Sequence, residues 1–389
     1  MKMDKLFTIA EKKRTPFYLY DLAIVQQKID AIKTSLPSFN LLFSVKANPN
    51  KEIICFLLSK GVGFDVASVN ELLLVSSLGA KPSNIYYSAP GKTESDISGS
   101  FGKCHIIADS INELFRINNI AKSHSFHLTI GIRLNIENQV IMQSNHEIMS
   151  GISTKFGISI EELCSIDFSS LSNISIDGIH IYFGSQILDE SIIANNFHII
   201  SYTAFLLMAH YDLKYINYGG GFGVPYLKEE KPLDLKLLSD SLQQDDSFLE
   251  IKKAGVRLNI ELGRFLVADS GLFFTRVVDI KTSFGKKYAI LDAGMNSFFR
   301  PIMTGEFHEV LQHRVEPGFE NITLVGHLCT PIDTYYDNLR IHPLKIEDII
   351  AFKNAGAYGY SMSLLNFISY DPPDEYVVNA QQTDSYSIQ

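Results

Sequence analysis

Long basic clusters, membrane-length apolar runs and paired cysteines are all missing from this chain, and each absence removes a class of function. The formal net charge is −9 and no long Lys/Arg run occurs, which argues against nucleic acid or an anionic membrane as a main partner. No apolar stretch is long enough to span a bilayer, so no membrane role is expected. The start, Met1-Lys2-Met3-Asp4-Lys5, is polar and only a short apolar run follows, unlike a secretory leader. The four cysteines, Cys55, Cys104, Cys164 and Cys329, have neither CxxC nor another metal-ligand spacing. They suit reduced thiols in a cytoplasm, and no metal is expected. Internal repeats and low-complexity linkers are also lacking.

What is present is an ordinary soluble balance, 46% hydrophobic and 20% charged, in a chain of 389 residues, too long for one core and sized for two domains. From about residue 40 to 265, short apolar strands alternate with longer amphipathic segments. The strand candidates are Leu41–Lys46, Val62–Ala67, Ile85–Ala89, His105–Ala108, His127–Leu134, Ile174–Phe183, Tyr215–Tyr218 and Arg257–Glu261. Helical patterns such as Lys51–Lys60, Asn70–Leu78, Asn112–Ala121, Ile160–Cys164 and Glu190–His210 lie between them. Eight such βα units match a parallel (β/α)8 barrel, although a doubly wound open sheet shares the periodicity. After residue 270 the segments Leu272–Ile280, Lys287–Asp292, Asn321–Cys329 and Asp348–Phe352 read as strands with few helices between them. The expected division is an α/β barrel over 36–270 and an antiparallel β domain over 1–35 plus 271–389, with Pro16–Tyr20 as its N-terminal strand.

Chemistry in a barrel gathers where strands end at the C-terminal face, and phosphate is often held after the last two strands. Lys46 closes the first strand; a buried ammonium there would lose water, fall in pKa and gain nucleophilicity. A strand-end lysine that simply reaches solvent is the ordinary alternative. Asp65 closes the second strand. The sixth carries His180 and Tyr182, which share a face at a spacing of two, and runs into Gly184-Ser185-Gln186. The seventh enters Gly219-Gly220-Gly221-Phe222-Gly223, either a tight turn or backbone able to close round an anion. The eighth ends in Glu261-Leu262-Gly263-Arg264, which read alone is a surface ion pair of little worth. In that order, an amine, a glycine cradle and a Glu with an Arg suit a phosphorylated aldehyde, pyridoxal 5'-phosphate.

The motifs Val45-Lys46-Ala47-Asn48, Phe64-Asp65-Val66-Ala67-Ser68, Gly219 to Gly223, Glu261 to Arg264, Asp292-Ala293-Gly294-Met295-Asn296, Cys329 with Asp333, and Gly356-Ala357-Tyr358-Gly359 span nearly the whole chain. Together they resemble the fold type III pyridoxal-phosphate decarboxylases of diaminopimelate, ornithine and arginine. The resemblance implies that Lys46 carries the cofactor and that Glu261 keeps its pyridine nitrogen protonated. It implies that Ser185, Gly220, Gly221, Arg264 and Tyr358 hold the phosphate and that Asp65 supports the ring on the Lys46 side. It further implies a homodimer with shared sites, in which Cys329 reaches the partner's site and protonates the α-carbon. Substrate contacts would come from Arg300, Thr330 and Asp333. Arg300 has a planar fork suited to a carboxylate, and a structural interface arginine is the equal alternative.

Departures from the pattern concern the substrate. Tyr182 stands where a stacking histidine is usual, so an aromatic face is kept and a titratable ring is lost. Cys329-Thr330-Pro331 replaces Cys-Glu-Ser, and Ile302-Met303-Thr304-Gly305 lacks the usual tyrosine, which would leave room for a larger or differently charged tail. With Asn366-Phe367-Ile368-Ser369, this looks like the biosynthetic subgroup of siderophore decarboxylases acting on citryl-diaminopropionate and of decarboxylases of carrier-bound amino acids. The substrate would be a small amino acid or amino-acid conjugate; meso-diaminopimelate decarboxylase is the alternative. A non-catalytic regulator and a racemase remain open from other classes, although racemases pair the ring nitrogen with arginine rather than a carboxylate.

Overall fold

The computed structural model describes residues 3–138, 147–150 and 153–379, so the expected β domain extends beyond the described residues at both ends. It divides into two compact units, residues 29–224 with 231–265, and residues 1–28 with 225–230 and 266–389.

The first unit is a closed barrel of eight strands, which excludes the open sheet. The strands are Phe39–Ser44, Gly63–Val66, Ile85–Ser88, His105–Ala108, Leu128–Arg133, Ile174–His180, Tyr215–Gly220 and Arg257–Leu262. All pairings are parallel, and the ring closes where Tyr215 meets Gly178 on one side and Arg257 on the other. Strands buried on both faces need apolar residues at nearly every position, which is why they were readable as short runs. Five of the helices that follow open on a side-chain cap: Asn50, Ser68, Thr93, Ser110 and Asp189 accept backbone N–H groups of the first turn. Such caps contribute about 1 kcal/mol each and fix where strand turns into helix. The barrel is filled, not hollow. Tyr215 packs with Tyr86, Leu42 and Ile107, and a Cβ on Gly178 would fall 2.1 Å from the Tyr215 ring.

The second unit is built on an eight-stranded sheet. Its long strand Gly271–Ser283 pairs with Phe17–Asp21 and Ile349–Phe352 along its first half, and with Lys286–Leu291 along its second. Phe7, Phe17, Leu19, Phe274 and Ala351 form a core, with the Phe17 and Phe274 rings stacked at 4.9 Å. The sheet is mixed, which corrects the antiparallel expectation: Phe17–Asp21 runs parallel to Asp374–Val378, and Lys286–Leu291 parallel to Glu320–Val325. Strand direction between distant segments leaves no mark on local pattern. Glu320–Val325 also stops before Cys329, which lies in a loop. Among the described residues no helix is long and apolar enough to cross a membrane.

Candidate active site

The C-terminal mouth of the barrel collects eight of the expected residues: Lys46, Asp65, Tyr182, Ser185, Gly220, Gly221, Glu261 and Arg264. Lys46 sits one turn past the first strand, in the 3-10 turn Val45–Ala47. Val45 and Ala47 are fully buried and anchor the backbone, so the side chain between them points outward, 46% exposed. The head thus reaches solvent, whereas the sequence reading expects burial. Its neighbours define it instead: the Asp65 carboxylate at 3.6 Å and the Tyr182 ring, whose centroid is 6.0 Å away. The sixth strand ends at His180, so the alternation that would have put His180 and Tyr182 on one face stops there. Tyr182 is half-buried beside Lys46, while His180 turns inward.

Two buried carboxylates at this mouth are tuned in opposite directions. Burial raises Glu261, but the His180 ring, whose Nε2 lies 3.1 Å from Oε2, outweighs it together with Lys46 and the Asn217 amide. Asn217 Nδ2 donates to Oε1 at 2.5 Å, and the net result holds Glu261 below its ordinary range. Burial raises Asp65, the Glu261 charge adds to it, and Lys46 and the Ser88 hydroxyl (2.7 Å) offset only part. Paired groups pushed apart in this way are a mark of functional sites. His180 Nδ1 is buried without a hydrogen-bond partner, an orphan that stable cores rarely leave.

Glycines let neighbouring loops touch. A Cβ on Gly220 would lie 1.9 Å from the Glu261 carbonyl oxygen, and one on Gly221 2.1 Å from that of Gly184. Gly263 does the same between the eighth and first strands, where a Cβ would come 2.9 Å from that of Ala47. The Gly219 N–H is taken by Asn217 Oδ1 and the Gly223 N–H by the Ile187 carbonyl. Ser185 pairs with Glu147 in a two-residue ladder beside this loop. Arg264 is buried at the turn after the last strand.

The mouth also holds residues the sequence reading missed. Arg133, buried at the end of the fifth strand, lies 3.6 Å from Asp109 and stacks on Phe156 at 4.4 Å. Burial raises Asp109 and Arg133 offsets part of that. Ser88, Asp109 and Arg133 shared one legible signal, a polar residue at or just past the end of an apolar strand, whereas Asn217 lies inside its strand.

The remaining expected residues belong to the other unit. Cys329 is exposed on the loop 326–333. Asp333 fastens that loop, since its two oxygens accept the Met295 and Leu328 N–H groups at 2.7 and 2.9 Å. A Cβ on Gly326 or Gly294 would strike this carboxylate. Its oxygens are thus engaged inside the protein, and the loop presents half-buried Thr330 and exposed Cys329. Arg300 is buried, donates from Nε to Glu306 at 2.6 Å and lies 5.4 Å from the Tyr358 ring. Tyr358 itself takes a left-handed φ of 59°. A cavity of about 520 Å³ in this unit, lined by Asp292, Ser297, His327 and Tyr370, includes none of the expected site residues.

Residues 22–268 match the family described as pyridoxal-dependent decarboxylase, pyridoxal binding domain. The chain is 32% identical over 380 residues to the 2-[(L-alanin-3-ylcarbamoyl)methyl]-2-hydroxybutanedioate decarboxylase of Staphylococcus aureus, covering 92% of both chains. It is 31% identical to the L-glutamyl-[BtrI acyl-carrier protein] decarboxylase of Niallia circulans, over 96% of this chain and 92% of that one. It is 30% identical to the diaminopimelate decarboxylase of Aquifex aeolicus, over 91% and 84%. Among solved structures, the diaminopimelate decarboxylase of Helicobacter pylori complexed with L-lysine matches with a TM-score of 0.86 at 27% identity, over 97% and 94%.

Proposed function

The chain belongs to the pyridoxal-dependent decarboxylase family, and on that premise we propose that it removes the α-carboxylate of an amino-acid conjugate in a siderophore or other specialised biosynthesis. The observation that carries the reading is the geometry of the barrel mouth, where Lys46 stands 3.6 Å from Asp65 and where His180 and Asn217 engage the two oxygens of Glu261.

The residues fit pyridoxal phosphate. Lys46 would hold it covalently through its exposed amine, and Tyr182 would supply the aromatic face. Gly220 and Gly221, where no Cβ has room, would close on the phosphate with Ser185 and Arg264. When bound, the group supplies a sink for the electron pair left behind as carbon dioxide departs. Glu261 would keep the ring nitrogen protonated, a task that suits an ionised carboxylate. Asp65, 3.6 Å from the Lys46 nitrogen, would support the ring on that side. Cys329, on a loop braced by Asp333, returns a proton to the α-carbon of a partner chain's substrate, in a homodimer with shared sites. Arg300 and Thr330 meet the substrate tail.

Two relatives support a conjugate. The name of one describes an alanine joined through a carbamoyl group to a hydroxybutanedioate, and that of the other a glutamyl group on a carrier protein. The close diaminopimelate decarboxylases support the second reading, meso-diaminopimelate. Carbon dioxide release across amino acids, a citryl-diaminopropionate conjugate, carrier-bound glutamate and meso-diaminopimelate decides between them. The highest kcat/KM should fall on a conjugate; lysine formation from meso-diaminopimelate as the best reaction would replace this proposal.

A further inference from the structure

We propose that Glu306 selects the tail of the substrate: by neutralising Arg300 it favours an amide or thioester carbonyl over a free carboxylate. The inference rests on the reading above, in which Arg300 meets that tail.

The clamp is built by local sequence. The short helix Arg300–Thr304 ends on Gly305 at a left-handed φ of 69°, where a glycine avoids the Cβ penalty. Thr304 Oγ1 donates to the Arg300 carbonyl at 2.9 Å and accepts the Glu306 N–H at 3.2 Å. That turn carries Glu306 back onto the side chain it follows. Glu306 Oε2 accepts from Arg300 Nε at 2.6 Å, with the two side chains 17% and 6% exposed. Nη1 rests against the Met362 sulfur at 3.8 Å, and the guanidinium carbon is 5.4 Å from the Tyr358 ring centroid. Among the described residues, no other carboxylate pairs with Arg300.

The consequence follows from charge and direction. Glu306 takes the Nε edge and the weak Met362 acceptor meets Nη1, so the remaining N–H groups are directional donors, while the Arg300–Glu306 couple, with His308 Nε2 3.9 Å from the same carboxylate oxygen, carries no net charge of its own. A carbonyl oxygen accepts those donors without opposition. A carboxylate accepts the same donors but also meets the Glu306 charge, in a place where little water screens it. An arginine left alone would reverse this order, because it pairs best with carboxylates. Thr304 thus does more than open space: it fastens the residue that sets the charge of the subsite.

The test uses holoenzyme and two matched pairs, L-glutamine against L-glutamate, and the ω-amide of diaminopimelate against diaminopimelate. Wild-type kcat/KM should favour the neutral member of a pair by roughly tenfold or more, mostly through KM. Glu306→Gln keeps the shape and removes the charge, and should move the ratio toward the carboxylate by about the same factor. Glu306→Asp keeps the charge and should retain the wild-type order. Equal or better wild-type use of the carboxylates overturns the inference, and needs no variant to fold. So does an unchanged ratio in cofactor-loaded Glu306→Gln. Carbon dioxide from no member of either pair, nor from the wider panel above, would sink the decarboxylase reading and this inference together.

Discussion

Glu261 and Asp65 are both buried carboxylates, yet one is pulled below its ordinary range and the other pushed above it. The difference lies in their partners: Glu261 has an imidazole and an amide on its two oxygens, whereas Asp65 has a hydroxyl and an amine 3.6 Å away. Glu261→Gln should therefore keep the cofactor, read from its absorbance, while turnover falls roughly a hundredfold or more. Near wild-type carbon dioxide release would remove Glu261 from its role. Asp65 makes a pH prediction for the cofactor-free protein. Its folded pKa is raised above the ordinary 3.8, so its contribution is complete below that value and is lost as pH rises through the raised one. Asp65→Asn removes the buried charge and keeps an acceptor for Ser88. The variant should melt higher than wild type near neutrality, and the gap should close on acidification below about 3.8. A variant that melts lower at neutral pH would show that the Lys46 pair outweighs burial.

The barrel strands were legible because burial on both faces writes each one as an apolar run; the caps Ser68, Thr93 and Ser110 lie within five residues of the strand ends. Thr334–Ile341 was not, since its exposed Asp337, Asn338 and Arg340 break the alternation. Lys46, Asp65 and Glu261 were singled out by position in the chain, whereas the partners of Asn217 and Arg133 come into view only when the closed ring brings strand ends together. Another pair hidden from the sequence is Lys92 with Glu113, both buried, joined at 2.5 Å across the third and fourth βα turns. Lys92 also donates to the Ala89 and Ile107 carbonyls at 2.7 Å. Lys92→Ala leaves a buried charge unpaired and should cost about 3–5 kcal/mol in urea unfolding. Adding Glu113→Leu should recover part of that loss; an additive or larger loss would mean the carbonyl contacts dominate. Gly220→Ala belongs to the same scale, because its Cβ would displace the Glu261 carbonyl and with it the site. It should lose cofactor affinity before it loses the fold, as cofactor titration and melting together would show.

At the scale of the whole molecule, the exposed loop carrying Cys329 poses the last question. Its apex is rigid, since Asp333 fixes it from below, and Pro331 and Ile332 stand exposed beside the thiol. Ile332 is 60% exposed, and Met303 and Leu364 of the same unit are 47% and 40% exposed. A braced loop that exposes a thiol beside Pro331 and Ile332 is where the proposed second copy would be met. If sites are shared in a two-fold dimer, Lys46→Ala and Cys329→Ala each inactivate both sites of their own dimers. A mixed dimer places the intact Lys46 of one chain opposite the intact Cys329 of the other and restores one site of two. Equal mixing after dissociation and reassembly makes half the dimers mixed, so about a quarter of wild-type activity should return. Activity that stays at the background of the two variants, in dimers shown by mass to be mixed, would confine Cys329 to its own chain and remove the shared-site proposal.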